Sequence, residues 1–235
     1  MTEPVTGNGA KRLAVEMVVV VASILIAFSL DAWWSRRSDD RTQAAHLGAL
    51  ESDFEQNVMR LTELVERERR IAESSRRLLS LAVMPQGAVQ PDSVNHLFGQ
   101  VFNSGRFGPS MGAYEAIVSS GGLSGVRADS LRIALADFVS LLESRYVENY
   151  ADQLYLDFIQ TYTGRLGTTA AVIAADTVTA SPGRMVPDRA LLIDPRFREH
   201  LALRYLAERG VGDSYKSLLA KAQEVLDLTR RARTE

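Results

Sequence analysis

The stretch from Leu13 to Trp34 decides the fold, and it reads LAVEMVVVVASILIAFSLDAWW. Only Glu16 and Asp31 are charged within these 22 residues. As a helix that rises ~1.5 Å per residue, the stretch is about 33 Å long, which matches a hydrocarbon core of roughly 30 Å. The sequence therefore predicts a transmembrane helix over 13–34, with its two carboxylates near the two membrane surfaces.

Four side chains at the ends of this span are candidates for interaction. The indoles of Trp33 and Trp34 suit the aromatic belt of a bilayer, because each ring is apolar and carries one polar donor. Glu16 and Asp31 are costly at a membrane boundary unless water or a partner satisfies them. The candidate partners are the lipid bilayer, a second copy of the chain and another membrane protein.

A cleaved signal peptide is the competing interpretation of the same stretch. Lys11 and Arg12 precede it, and Ala27-Phe28-Ser29 resembles a small-x-small cleavage site. A retained anchor is favoured because the helical pattern continues past that site without a break. Basic residues flank both ends of the span, so charge counting leaves the orientation open. We expect a single pass through the cell (inner) membrane, with the C-terminal domain outside the cytoplasm.

The chain after the span reads as long helices. Over 41–82, apolar residues recur every three or four positions, which is typical of an amphipathic helix: Leu47, Leu50, Phe54, Val58, Leu61 and Val65. This stripe weakens at Glu68, Ala72 and Ser75 and resumes at Leu79. No helix breaker follows Trp34, so the span is expected to continue into this helix until Met84-Pro85-Gln86-Gly87 ends it.

Further helices are predicted from caps and breakers in the rest of the chain. Ser110 is expected to cap one of them, and Asp194-Pro195 to begin the last. The predicted helices after the first are 92–103, 111–120, 129–165 and 195–232, with a long loop over 166–194. Together they predict an all-α fold: a transmembrane helix running into an antiparallel bundle with coiled-coil character and two short inserted helices. The predicted domains are a tail (1–12), the span (13–34) and the bundle (35–235).

Three sequence blocks carry a family resemblance. They are Glu16-MVVVVASILIAFSL-Asp31-Ala32-Trp33-Trp34, then Ala113-YEAIVSSGG-Leu123 with Asp129-Ser130-Leu131-Arg132, and finally Asp194-Pro195-Arg196-Phe197-Arg198. From about Leu13 to about Leu228, the chain resembles a bacterial family of membrane-anchored helical proteins, the domain of unknown function numbered 6090. The resemblance implies a single-pass anchor and an all-helical domain, and it brings no catalytic residues.

The second block also predicts a structural turn. Paired glycines after Ser119 supply the positive φ that the end of a helix commonly needs. Such a turn would set the angle between a short helix and the long one that follows. The residues assigned to it are Tyr114, Glu115, Ser119, Gly121, Gly122 and Asp129.

Composition and motifs argue against most kinds of chemistry. The chain has 27 Lys and Arg against 29 Asp and Glu, and it has no cysteine. We therefore expect no nucleic-acid partner, no disulfide and no thiolate metal site. Gly108-Pro109-Ser110-Met111-Gly112 matches a hydrolase elbow but lacks the preceding strand that this motif requires. We expect no catalytic residue, no metal, no cofactor and no enzymatic activity, since His46, His96 and His200 form no ligand motif.

Two remaining patterns have simple structural interpretations. The tyrosines of the 129–165 helix are expected in the core rather than in a ligand pocket, because they recur at helical spacing. The charged run Glu63–Arg70 is expected to be a solvated helix face. The sequence thus favours a membrane-anchored interaction or scaffold protein. A ligand-binding, sensor-like bundle acting through a partner membrane protein is the alternative.

Overall fold

The computed structural model describes residues 8–82, 91–121, 123, 126–144, 146–162 and 189–234, and every regular element within these ranges is a helix. The predicted stop at 84–87, Gly122, the last residues (163–165) of the predicted 129–165 helix and residues 166–188 of the predicted loop lie outside the described residues. The predicted all-α class with a long apolar N-terminal helix is confirmed. In chain order the helices are α1 (Asn8–Leu81), α2 (Pro91–Val101), α3 (Gly112–Ser119), α4 (Asp129–Glu143), α5 (Tyr146–Tyr162), α6 (Arg189–Ile193) and α7 (Pro195–Thr234).

Helix α1 joins the apolar span to the bundle without interruption. It contains 74 residues, which corresponds to about 110 Å. Its side chains are exposed from Glu16 to Thr42, and the first buried one is Leu47. The polar residues 35–46 therefore separate the apolar span from the bundle by about 18 Å of helix. This continuity is what the unbroken sequence pattern predicts.

Helix α7 packs along the bundle half of α1, and contacts pair their residues in opposite order. Near the start of the bundle, Arg230 Nε lies 3.0 Å from Glu51 Oε1. Farther along α1, Glu68 lies against Gly212, where an added Cβ would be 3.5 Å from Glu68 Cβ. At the far end, Leu78 shares a hydrophobic cluster with Phe197.

The buried apolar side chains form two clusters. The larger one contains α1 residues from Leu47 to Leu64 together with residues of α3, α4, α5 and α7. The smaller one, beyond it along α1, is built on Leu78 and the aromatic residues Phe98, Phe102, Phe158, Tyr162 and Phe197. Burial of these side chains is the main force that holds the helices together.

Helix α3 is held at its N-terminus by α1 rather than by its own cap. The expected cap Ser110 does not bond to the helix, and the backbone N–H of Ala113 donates to Asp53 Oδ2 at 2.8 Å. Asn57 forms two hydrogen bonds with the backbone of Ser110. Its Nδ2 donates to the carbonyl at 2.8 Å, and its Oδ1 accepts the N–H at 2.7 Å. Ser110 Oγ lies 3.3 Å from Gln56 Oε1. The expectation for Ser110 is wrong because two α1 side chains already satisfy this terminus.

The helix predicted over 129–165 is two helices, α4 and α5. Ser144 has ψ of 62°, which leaves the helical region and re-phases the chain before Tyr146. In α5 the inward face carries Ala151, Phe158 and Tyr162. Tyr146 is 81% exposed and Tyr150 46% exposed, so neither is the core residue that continuous four-residue spacing suggests.

The last long helix begins as its sequence predicts. Pro195 is its first residue, and Asp194 Oδ1 accepts the backbone N–H of Arg196 at 2.9 Å. A proline at the first helical position loses nothing, because that N–H has no helical acceptor. The short helix α6 occupies the end of the predicted 166–194 loop.

Candidate functional site

The predicted interaction residues lie on the exposed part of α1. Glu16, Asp31, Trp33 and Trp34 are all exposed, and the two indole centroids are 6.4 Å apart. The guanidinium of Arg37 lies 5.8 Å from the Trp33 ring, which suits a cation–π contact at a membrane surface. One helix therefore carries all four residues, with Trp33 and Trp34 at the bundle end of the apolar span.

The predicted turn residues surround the end of α3. Gly121 has φ of +135°, a region that residues with a Cβ rarely adopt. Ser119 Oγ donates to the carbonyl of Ala116 at 3.0 Å, and Tyr114 packs against the larger core cluster. Glu115 is exposed in the first turn of α3. Asp129 begins α4 and accepts a hydrogen bond of 2.5 Å from Arg132 Nη2.

A layer of buried charged residues lies between the two hydrophobic clusters, at a place the sequence analysis did not single out. Its centre is Arg204 of α7, whose side chain is 1% exposed. Arg204 Nε donates to the carbonyl of Val101 at 3.0 Å, and Nη2 donates to the carbonyl of Asn103 at 2.7 Å. Its guanidinium also lies 4.5 Å from the ring centroid of Tyr155 on α5. One side chain thus connects α7, α5 and the segment that follows α2.

Two buried carboxyl groups accompany this one guanidinium. Glu208 Oε1 lies 3.0 Å from Arg204 Nη1, and both side chains are on the same face of α7. Glu68 of α1 is 2% exposed. The pKa of Glu68 is raised to about 9, chiefly by burial. A hydrogen bond to Glu208 and the negative charge of Glu208 also raise this pKa. The charges of Arg204 and Arg67 act in the opposite direction. Near neutral pH, Glu68 therefore holds a proton in the folded protein.

The Glu68 carboxyl is incompletely satisfied. Its Oε2 atom is buried and has no hydrogen-bond partner within the described part of the chain. A buried polar atom without a partner typically costs about 1–3 kcal/mol, so such atoms are uncommon in folded proteins.

A groove of about 280 Å³ lies beside Glu68, between α1 and α7. Glu68, Glu208 and Gly212 line it together with rim side chains of both helices. Four rim residues are basic and two are acidic: Arg69, Arg76, Arg209 and Lys216 against Glu73 and Asp213. The rim therefore has an excess of positive charge above two buried carboxyl groups.

A second, much smaller cavity also has Glu208 among its lining residues. It is about 10 Å³, which is room for roughly one water molecule, and Glu148 and Tyr215 are among its lining residues. The Tyr215 hydroxyl accepts the backbone N–H of Phe107 at 3.3 Å. Arg106 forms an ion pair with Asp152 at the cavity wall. The size of this cavity suits a water molecule rather than a ligand.

Two signals in the sequence point to this layer. Glu68 occupies a position of the α1 stripe, three residues after Val65, so the interpretation of Glu63–Arg70 as wholly solvated is wrong at Glu68. In α7, Arg204 and Glu208 continue the three- and four-residue steps from Leu201 to Val211. A charge within an apolar stripe was the available indication of a buried ionic group.

Metal-ligand geometry does not occur in the described ranges, where no group of three His, Cys, Asp or Glu side chains converges. His200 Nε2 lies 3.8 Å from Asp157 Oδ2, which is a pairwise contact only. Residues 108–111 of the hydrolase-like motif are irregular and Gly112 begins α3; Arg60 Nη1 donates to the carbonyl of Gly108 at 2.9 Å.

The fold defines a class: a helical protein with one N-terminal helix that is long and apolar enough to cross a membrane. The chain belongs to the family of unknown function DUF6090, whose sequence profile matches residues 16–170. The matched region contains residues 16–34 of the apolar stretch, the α3 turn and Glu68, whereas Arg204 and Glu208 lie beyond it. No curated protein and no solved structure matches the chain.

Proposed function

We propose that this chain is a non-catalytic interaction or scaffold component of the bacterial cell envelope. Residues 13–34 anchor it in the inner membrane, and the remaining helices form an antiparallel bundle outside the cytoplasm. Its partners are the lipid bilayer and either a second copy or another membrane protein. The single observation that supports this proposal is the continuity of α1, which makes the apolar span and the central bundle helix one rigid element.

The face of the span that contains Glu16 suits a helix partner. At about 100° per residue, Ser23, Ala27 and Trp34 lie within roughly 20° of Glu16 around the helix axis. Small side chains such as Ser23 and Ala27 permit close approach of a second helix, and a carboxyl group can hydrogen-bond across the contact. A span that only tethers would need none of these features.

Crosslinking in native membranes tests the association. Glu16→Leu should reduce crosslinked partners several-fold, because it removes the polar contact while making insertion easier. Glu16→Gln keeps the shape and a donor, and it should retain most of the association. Val18→Leu, on another face of the same span, is the matched control. Equal crosslinking by wild type and Glu16→Leu would reduce Glu16 to a bystander at the membrane surface.

The absence of cysteine makes the topology directly measurable. Ser217 is exposed on α7, so Ser217→Cys creates one accessible thiol in the whole chain. A membrane-impermeant maleimide should label this thiol in intact spheroplasts. Labelling only after lysis would place the bundle in the cytoplasm and reverse the proposed orientation.

A second candidate function is a sensor-like bundle that acts through a partner membrane protein. The groove between α1 and α7 favours it, because Glu68 on its floor belongs to the same helix as the apolar span. A ligand that changed the packing of α7 on α1 would act on the helix that enters the membrane. Loss of partner crosslinking on ligand addition would separate this function from simple tethering.

A further inference from the structure

The group formed by Glu68, Glu208 and Arg204 has one positive charge fewer than it has carboxyl groups. Glu68 and Glu208 supply two carboxyl groups, and Arg204 supplies one guanidinium. A net negative charge in a buried layer is unfavourable, so the layer takes up one further cation, which in the free protein is a proton on Glu68. Glu208 already has Arg204 as its partner. Glu68 Oε2 is the atom of this layer that faces no donor within the described chain.

The groove above this layer is open to a small molecule. Gly212 contributes no side chain to it, and Glu68 Cβ lies at ordinary contact distance from the place a Cβ would occupy there. A volume of about 280 Å³ lies just below the range of roughly 300–1,000 Å³ that is usual for small-molecule pockets. It therefore suits a small metabolite rather than a peptide chain.

The rim of the groove indicates a second group that a bound small molecule would carry. Arg209 Nη1 lies 3.3 Å from Tyr205 Oη, and in the described ranges this guanidinium has no carboxylate within ion-pair distance. Each of the other three rim cations has a carboxylate partner: Arg69 pairs with Glu66 at 3.0 Å, Arg76 with Glu73 at 2.9 Å and Lys216 with Asp213 at 2.8 Å. Arg209 is thus the rim cation that is free to receive an anionic group.

We propose that this groove binds a small zwitterion, with its ammonium group at Glu68 and Glu208 and its carboxylate at Arg209. An ammonium group donates the hydrogen bond that Glu68 Oε2 lacks and supplies the missing positive charge. A divalent metal ion is a poorer fit, because it needs more oxygen ligands than two carboxyl groups and would lie beside Arg204. The proposal deepens the sensor candidate and is independent of the tethering function.

Proton release is the signature of this binding mode. Glu68 must lose its proton to pair with an ammonium group, so the complex releases up to one proton to the buffer and binds more tightly as pH rises. The charged groups that face Glu68 are Arg67 on its own helix and Arg204 and Glu208 on α7. Tyr155 of α5 contacts the guanidinium of Arg204, and Glu148 of α5 lines the small cavity together with Glu208.

Titration calorimetry on the full-length protein in detergent tests the proposal. The probes are glycine, β-alanine and γ-aminobutyrate, which vary the distance between ammonium and carboxylate, with trimethylglycine as the control that has no N–H donor. We expect at least one amino acid to bind with millimolar or tighter affinity at pH 7 and trimethylglycine to bind at least tenfold more weakly. Heats measured in buffers of different ionisation enthalpy should show proton release.

Two variants assign the binding to the groove. Glu68→Gln keeps the side-chain shape, and it should weaken binding at least tenfold and abolish proton release. Gly212→Leu should also block binding by filling the groove, whereas Gly48→Leu places the same side chain in open space on α1 and should have no effect. Circular dichroism confirms that each variant is folded.

The proposal is overturned if none of the three amino acids binds, if trimethylglycine binds equally well, or if Glu68→Gln binds with wild-type affinity. Calorimetry tests ligand binding by the isolated protein, whereas crosslinking of the Glu16 variants tests association in membranes. Failure of the binding proposal is therefore distinguishable from failure of the tethering function.

Discussion

At the scale of single residues, Glu68 is the most unusual group in the bundle. A carboxyl group that is removed from water, beside a second carboxyl group, is more stable with its proton than without it. In the unfolded chain this group has an ordinary pKa of 4.5, whereas in the folded chain its pKa is about 9. The folded chain therefore binds one more proton than the unfolded chain between these two values.

The pH dependence of stability follows from this difference. Below about pH 4.5 the group is protonated in both states, and its contribution is fully present. As pH rises towards 9, the unfolded chain alone has lost the proton, so stability falls by up to about 1.4 kcal/mol per pH unit. Glu68→Gln should remove this slope and be more stable than wild type at pH 8, as measured by thermal unfolding in detergent between pH 5 and 9. Glu63→Gln, exposed on the same helix, is the control. An unchanged slope in Glu68→Gln would mean that Glu68 is ionised in the folded protein.

Gly121 provides a second test at this scale. Its φ of +135° is costly for any residue with a Cβ, although an added Cβ would meet no neighbouring atom. Gly121→Ala should therefore lower the free energy of unfolding by about 1–2 kcal/mol through backbone strain alone. Gly108→Ala also adds a Cβ in open space, and in the absence of a positive φ it should change stability much less. Equal stability of the two variants would exclude strain at the turn.

At the scale of elements, the position of α3 depends on α1. Asp53 accepts the N–H of Ala113, and Asn57 holds the backbone of Ser110, so α1 supplies the contacts that a helix usually obtains from its own cap. The two α1 residues are one helical turn apart, which places them on the same face. This arrangement fixes the segment between α2 and α3 against the bundle.

Removing this external cap should destabilise the bundle. Asp53→Ala leaves the N–H of Ala113 without its acceptor, and the expected loss is about 1 kcal/mol in the free energy of unfolding. Asp53→Asn keeps an oxygen at the same place and should recover most of the lost free energy of unfolding. Glu63→Ala, at an exposed position of α1, is the control. If Asp53→Ala unfolds at the wild-type temperature, water replaces the carboxylate at no cost.

The sequence predicts the elements better than their partners. The apolar span, the continuous α1 and the Asp194-Pro195 start of α7 were predictable, because each depends on residues close together in the chain. The external cap from Asp53 was not predictable, because it depends on a contact between distant segments, and the break at Ser144 was not, because no glycine or proline marks it. Glu68 is intermediate: its place in the stripe was visible, but only the position of Arg204 and Glu208 shows that it is buried in an ionic layer.

At the scale of the whole molecule, α1 divides the protein into an apolar span, a polar segment and a bundle. Among the described residues, Arg127 near the start of α4 supplies an ion pair to the polar segment, where its Nη2 lies 2.6 Å from Asp40 Oδ1. Both groups are exposed, so the pair contributes at most about 1 kcal/mol. The attachment of the bundle to the span therefore rests on the α1 backbone itself.

Because that backbone is one helix, it sets the direction in which the bundle points. One alanine inserted between Ser38 and Asp39 turns the bundle by about 100° relative to the span, whereas seven residues return it to within about 20° and raise it by roughly 10 Å. A partner that contacts both the lipid-embedded face and the bundle should lose crosslinking with the single insertion and regain it with seven. Recovery would show that the rotational orientation of the bundle about the α1 axis, rather than its distance from the membrane, decides which proteins can dock.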